Sequence, residues 1–148
     1  MVEFAARYAS DAASATLARH AVVDFARVHG FCDRDLADIE CGVGEALGNA
    51  VEHGHRPSGL LRLRCRFEAG TLDIEVQDRG TGFDPEAVPA PAAQSSTRGF
   101  GIYIMRSLMD RVEFRRGGRL ICLVKRKNED CPCQREQNFA AHAPRSAG

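Results

Sequence analysis

Between Asp35 and His55 the apolar residues Leu36, Ile39, Val43, Leu47, Ala50 and Val51 recur at about 100° per residue, so they share one face of a helix. Glu45, Asn49 and His53 fall on the opposite face. Gly42, Gly44 and Gly48 interrupt this pattern, and each should weaken a helix by ~1 kcal/mol relative to alanine. Removing those side chains predicts close approach of another backbone or of a ligand. Glu45 and Asn49, one turn apart, would then face that ligand together.

The flanking stretches supply the rest of a domain. Residues 1–9 alternate loosely and predict a short edge strand. Leu17, Ala21, Val22, Phe25 and Val28 predict a first helix, capped by Ser10 or Asp11 and stopped by Gly30. Asp33 or Asp35 caps the long helix, which runs out near Gly54. From Leu60 the period changes to two. Leu61, Leu63, Cys65 and Phe67 alternate with Arg62, Arg64, Arg66 and Glu68, and after an Ala69-Gly70 turn Leu72, Ile74 and Val76 return as a hairpin. That strand ends at Asp78-Arg79-Gly80-Thr81-Gly82-Phe83-Asp84-Pro85, and residues 86–97 have no periodicity and predict a mobile loop. Ile102, Tyr103, Met105, Leu108 and Met109 predict a third helix, opened by Arg98-Gly99-Phe100-Gly101. Val112-Glu113-Phe114 and Leu120 to Val124 form a second hairpin about Gly117-Gly118. The order β-α-α-β-β-α-β-β, with hairpins in place of crossovers, predicts an α+β sandwich with a mixed or antiparallel sheet. The domain occupies residues 1–127, and 128–148 reads as a weakly ordered tail.

Composition narrows the function classes. A chain of 148 residues is long enough for one hydrophobic core, and 20 Lys+Arg against 20 Asp+Glu gives no excess charge to gather a nucleic acid. No apolar run approaches the ~20 residues of a membrane span, and no basic-then-apolar leader opens the chain, so a cytoplasmic protein with no membrane partner is expected. Cys32, Cys41, Cys65 and Cys122 are scattered singly through elements that look core-forming and read as buried thiols. Cys131 and Cys133 form a close pair, but a metal site needs further ligands at recurring spacing, and no second Cys or His pair accompanies them.

Each glycine cluster is ambiguous alone. Asp78-x-Gly80-x-Gly82 describes an ordinary turn as well as a carboxylate placed to accept from an exocyclic amine beside two glycines that admit a flat ring. Gly99-x-Gly101 before a helix is either a geometric start or a set of N–H groups for phosphate. The Gly-x4-Gly-Lys-Ser/Thr pattern of P-loop proteins is absent.

Their combination is more specific. A Glu-x3-Asn helix, a strand-ending Asp-x-Gly-x-Gly, a loop and then Gly-x-Gly opening a helix resembles the ATP-binding fold shared by gyrase, Hsp90, sensor histidine kinases and MutL. Glu45-Ala-Leu-Gly-Asn49-Ala-Val-Glu-His53, Asp78 to Pro85 and Arg98 to Asp110 look most like the bacterial anti-sigma-factor serine/threonine kinases of partner-switching systems, over about residues 5–127. The resemblance implies a two-layer sandwich of the Bergerat type, with a mixed sheet and three main helices on one face. It makes Glu45 the general base, Asn49 the Mg²⁺ ligand beside the ATP phosphates, and Asp78 the adenine contact in a pocket shaped by Gly80 and Gly82. Arg98 would approach the terminal phosphate, Gly99, Phe100, Gly101 and Ile102 would offer N–H groups, and residues 86–97 would be the ATP lid. His53 reads as a structural hydrogen-bonding group at the helix end, with a nucleotide or partner contact as the alternative. Relatives often carry Thr after the glycine at Gly118, and this chain has Arg119 there.

Two functions follow from the resemblance. In the first, the γ-phosphate of ATP passes to a STAS-domain anti-anti-sigma factor while a sigma factor is sequestered. In the second, nucleotide-dependent binding of the sigma factor is the main activity. The resemblance also implies a homodimer formed near the N-terminus, without direct nucleic-acid contact. Sensor histidine kinases are disfavoured because no dimerising helical pair with an acceptor His precedes the domain, and gyrase or repair ATPases need further domains.

Overall fold

The computed structural model describes residues 1–53, 59–79 and 100–131. Strands β1 (Val2–Ala9), β2 (Leu60–Glu68), β3 (Thr71–Gln77), β4 (Arg111–Arg115) and β5 (Leu120–Arg126) form one sheet in the order β1-β2-β3-β5-β4. Helices α1 (Ala12–Val28), α2 (Asp33–His53) and α3 (Phe100–Leu108) cover one face. All four ladders are antiparallel, so of the two sheets the pattern allowed, the mixed one is excluded. The reason is topological. The connection through α3 delivers β4 to the outer edge, and the tight β4–β5 hairpin then inserts β5 against β3 in the opposite direction.

Alternation settles which face is core. Leu61, Leu63 and Cys65 of β2, Leu72, Ile74 and Val76 of β3, and Ile121 and Leu123 of β5 are buried beneath Ile39, Val43 and Leu47 of α2. Each such aliphatic side chain stabilises the fold by roughly 1.5–3 kcal/mol. The long helix buries Leu36, Ile39, Val43, Leu47 and Ala50 as its pattern predicts, together with Gly42 and Ala46, while Val51 is only partly covered. The first helix departs from its pattern. Ala18, Val22, Val23 and Ala26 are its buried residues, whereas Leu17 and Val28 are 63% and 82% exposed. Val22 and Val23 with the two alanines form its inner side and Phe25 packs against the core, while Leu17 and Val28 are turned outward.

The ends of the helices show where local chemistry acts. The Asp11 carboxylate accepts from the Ser14 N–H at 2.7 Å and caps α1. Neither Asp33 nor Asp35 caps α2. Both lie in its first turn, where a negative charge complements the helix dipole, and the Cys32 carbonyl accepts from the Leu36 N–H at 2.8 Å. Asp35 is buried and accepts from the Asn128 N–H at 2.9 Å. The stretch from Asn128, read as a tail, therefore starts as packed chain, with Cys131 buried. Residues 132–148 with Cys133, the loop 86–97 and the helix stop at Gly54 lie outside the described residues.

One buried cation ties three elements together. Lys125 of β5 donates to Asp38 of α2 at 2.8 Å and to the Leu108 carbonyl of α3 at 2.7 Å. Its side chain is 10% exposed against 27% for Asp38. Lys125→Ala leaves both acceptors without that donor, and partial hydration of Asp38 moderates the loss. We expect urea denaturation to show about 2 kcal/mol of destabilisation.

The described cysteines are free thiols; Cys32 and Cys65 are buried as expected, but Cys122 is half-buried and Cys41 lies exposed on the outer side of α2, and burial pushes the Cys65 thiol up to about 12 from 9.0. In the native protein Cys65 should resist thiol reagents at neutral pH while exposed Cys41 reacts. Because the folded chain holds this proton at a pH where the unfolded chain has released it, the thiol makes stability fall as pH rises from about 9 towards 12. Replacing Cys65 with Val should remove that part of the alkaline loss, measured by denaturation across this range. Among the described residues, no helix is long and apolar enough to cross a membrane.

Candidate functional site

Helix α2 lies against α3, and two glycines set the fit. A Cβ on Gly42 would stand 2.9 Å from the Met109 sulfur, just beyond the end of α3. A Cβ on Gly101, the second residue of α3, would stand 2.7 Å from Glu45 Oε2. Contact therefore moves up α2 as it moves back along α3, so the helices are antiparallel and α3 begins beside the Glu45 turn. The N–H groups of Phe100, Gly101 and Ile102, in the first turn of α3, have no partner within that helix. Their partial positive charge lies next to the Glu45 carboxylate, which is partly exposed, and one turn before Asn49.

The glycines of α2 thus have roles other than the one their spacing predicts. Gly42 makes room for Met109, and Gly44 faces the Arg19 stem of α1, with a 3.4 Å approach to its Cδ. Gly44 lines, with Gly48, a cavity between α1 and α2. Only Gly48 has open space around it, on the side shared with Ala12, Ala15 and Thr16 of α1. The glycine that clears space for the polar face of α2 is Gly101, on a different element. Its contact with Glu45 was not evident from the helical pattern, because a glycine that opens a helix gives no sign of what it packs against.

Asp78 follows directly on β3. Its N–H donates to the Arg119 carbonyl at 2.9 Å, extending the β3–β5 ladder one step past Gln77 and Leu120. This fixes the backbone, and the residue is 4% exposed. A carboxylate held at a strand end and shielded from water is suited to accept a hydrogen bond from an amine in a flat ligand. Arg119, which stands where Thr is common in the resembling proteins, turns its Nε–H back to the Arg116 carbonyl at 3.0 Å. It offers no hydroxyl to a ligand beside Asp78.

Of the remaining sequence-predicted residues, Phe100 and Ile102 open α3, with Ile102 buried in the core, and His53 is the last residue of α2. Gly80, Gly82, Arg98 and Gly99 lie outside the described residues. Among the described residues no group of three or more His, Cys, Asp and Glu side chains could hold a metal ion. A cation at Asn49 would have few protein ligands. That donor set suits Mg²⁺, which keeps most of its waters and takes its other oxygens from phosphate.

Comparison with known proteins adds independent findings. The profile of the family described as histidine kinase-like ATPase domain matches residues 8–125. The serine-protein kinase RsbW of Halalkalibacterium halodurans is 28% identical over 95 residues, which cover 58% of this chain and 59% of that protein. The serine-protein kinase RsbW of Bacillus licheniformis is 32% identical over 94 residues, covering 56% and 59%. The match thus spans 59% of the length of these relatives. A crystal structure of the RsbU and RsbW domains of a Mycobacterium tuberculosis protein superposes with a TM-score of 0.63 over 86% of this chain and 32% of that one, at 17% identity. At that identity the likeness is one of fold.

Proposed function

The chain belongs to the histidine kinase-like ATPase domain family, and on that premise we propose that it is an ATP-dependent protein serine/threonine kinase acting as an anti-sigma factor. Its substrate would be a STAS-domain anti-anti-sigma factor, and its other partner a sigma factor. The similarity to serine-protein kinases named RsbW supports this class. The observation that carries the reading is the contact between Gly101 and Glu45, which sets the N–H groups of a helix start beside a partly exposed carboxylate.

In this reading Asp78 accepts from the adenine amino group, with Gly80 and Gly82 completing its pocket. Asn49 would hold Mg²⁺, which would supply positive charge to offset that of the phosphates. The N–H groups of Gly99, Phe100, Gly101 and Ile102 and the guanidinium of Arg98 orient the phosphate chain. Glu45 takes the proton of the incoming Ser or Thr hydroxyl as its oxygen bonds the γ-phosphorus. The bond from that phosphorus to the bridging oxygen breaks, and ADP leaves. The domain would end near residue 127 and work in the cytoplasm, with its thiols reduced. It would pair with a second copy through the exposed Leu17 and Val28 of α1 or the free edge of β1, features that support a dimer near the N-terminus.

Calorimetry tests the core of this proposal. ATP with Mg²⁺ should give a saturable binding heat, and Asn49→Ala should weaken the metal-dependent part at least tenfold. Absence of heat from the wild-type chain would overturn it. Labelled ATP with a STAS-domain protein then separates kinase from binding module. Label on the STAS protein supports phosphotransfer, and nucleotide heat with sigma-factor binding but no label assigns the binding role.

A further inference from the structure

We propose that the outer face of the sheet, opposite the helices, is a second binding site, an arginine-lined groove that takes an extended acidic segment of a partner protein. One row of residues crosses all five strands through the Cα pairings Arg7↔Arg62, Arg62↔Gln77, Gln77↔Leu120 and Leu120↔Arg115. A groove of about 580 Å³ runs along it, lined by Ala5, Arg7, Arg62, Arg115 and Arg116 and by one carboxylate, Glu75, which is paired with Arg66. Several arginines of this face, Arg115 of the groove among them, have a carboxylate partner. Arg64 pairs with Glu3 at 2.9 Å, Arg66 with Glu75 at 3.2 Å, and Arg115 with Glu113 at 2.6 Å. Arg7, Arg62 and Arg116 have none among the described residues.

That exception is unfavourable for the isolated domain. Like charges directly across an antiparallel pair destabilise it, and Arg7 and Arg62 are such a pair. An anionic occupant turns this repulsion into attraction, because a guanidinium binds carboxylate through two parallel N–H bonds. The spacing identifies the occupant's form. Strands lie about 4.8 Å apart, so Arg62 on β2 and Arg115 on β4 are separated by about 14 Å, too far for one small anion to engage both. An extended peptide places alternate side chains about 6.6 Å apart and can meet several of these cations at once. The floor of Ala5 and Leu120 suits the small apolar side chains between its carboxylates.

Other occupants fit less well. The row has no aromatic side chain on which bases could stack, and the chain's net charge is +0. A second copy facing this sheet through a two-fold axis would bring arginine onto arginine.

The test uses the full chain without nucleotide, so it is independent of the kinase proposal. A fluorescein-labelled decapeptide of alternating Glu and Ala is titrated by anisotropy at low salt. Saturable binding is expected. Arg62→Glu should weaken it at least tenfold and Arg62→Gln by less, while Arg27→Glu on α1 should leave it unchanged. If Arg62→Glu fails to fold, judged by circular dichroism, the Arg7→Gln, Arg116→Gln double variant replaces it with the same expected loss. Absence of binding, or equal affinity in Arg62→Gln, overturns the proposal. So does a single-stranded oligonucleotide of equal charge that binds more tightly through the same arginines. A wild-type dimer that becomes monomeric in Arg62→Gln would likewise overturn it, by assigning the face to a second copy.

Discussion

In the proposed reaction, Glu45→Ala is expected to slow phosphoryl transfer to a STAS-domain protein by about 10²–10⁴-fold, the usual contribution of a positioned general base. ATP should still bind. Under that proposal the carboxylate belongs to the acceptor side of the reaction, and Asp78 and Asn49 to the nucleotide and its metal. The fold should also persist, because Glu45 is partly exposed and leaves no core cavity when truncated. Single-turnover transfer from labelled ATP, beside calorimetry of nucleotide binding, separates the two effects. Transfer at the wild-type rate would remove Glu45 from its role.

The second large effect is expected at Gly101. An alanine there places a methyl 2.7 Å from Glu45 Oε2, well inside contact distance. The obstructing atom is the end of a flexible side chain, so Glu45 swings aside and stability changes little. Activity should not be spared, since a catalytic group displaced by ~1 Å costs on the order of 10²-fold in rate. Gly101→Ala should therefore show a near-wild-type melting temperature with transfer reduced roughly 10- to 100-fold. If the variant transferred phosphate normally, the contact would have no bearing on catalysis. If it melted far lower, the glycine would be a packing residue like Gly42.

Comparison of the two glycines shows what the amino-acid pattern conveyed. Helix α2, both hairpins and the start of α3 were legible, because a period of 3.6 or 2 records which side of an element meets the core. The exposed turn of α1 was not, since alanines bury well and Leu17 and Val28 carry the stronger apolar signal on its outer side. Sheet direction stayed open until the place of β5 was known, which is a long-range property. The glycines of α2 were visible as anomalies, but their partners, Met109 and Arg19, lie on other elements and leave no mark in the local pattern. Arg7 and Arg62 are 55 residues apart in the chain, so only the β1–β2 register makes them neighbours. At the candidate site, Glu45 and Gly101 are in contact and Asp78 is held at a strand end, while Gly80, Gly82, Arg98 and Gly99 fall outside the described residues.

Helix α3 is secured at its C-terminal end by α2 and β5. Its last turn is held by Lys125 on the Leu108 carbonyl, by the Asp110 N–H on the Val124 carbonyl, and by Met109 seated against Gly42. Gly101 is eight positions back from Met109, about 12 Å at 1.5 Å per residue. A tilt of only ~5° about Met109 sweeps Gly101 through ~1 Å, comparable to the displacement that, in the proposed reaction, would take the Glu45 carboxylate out of register.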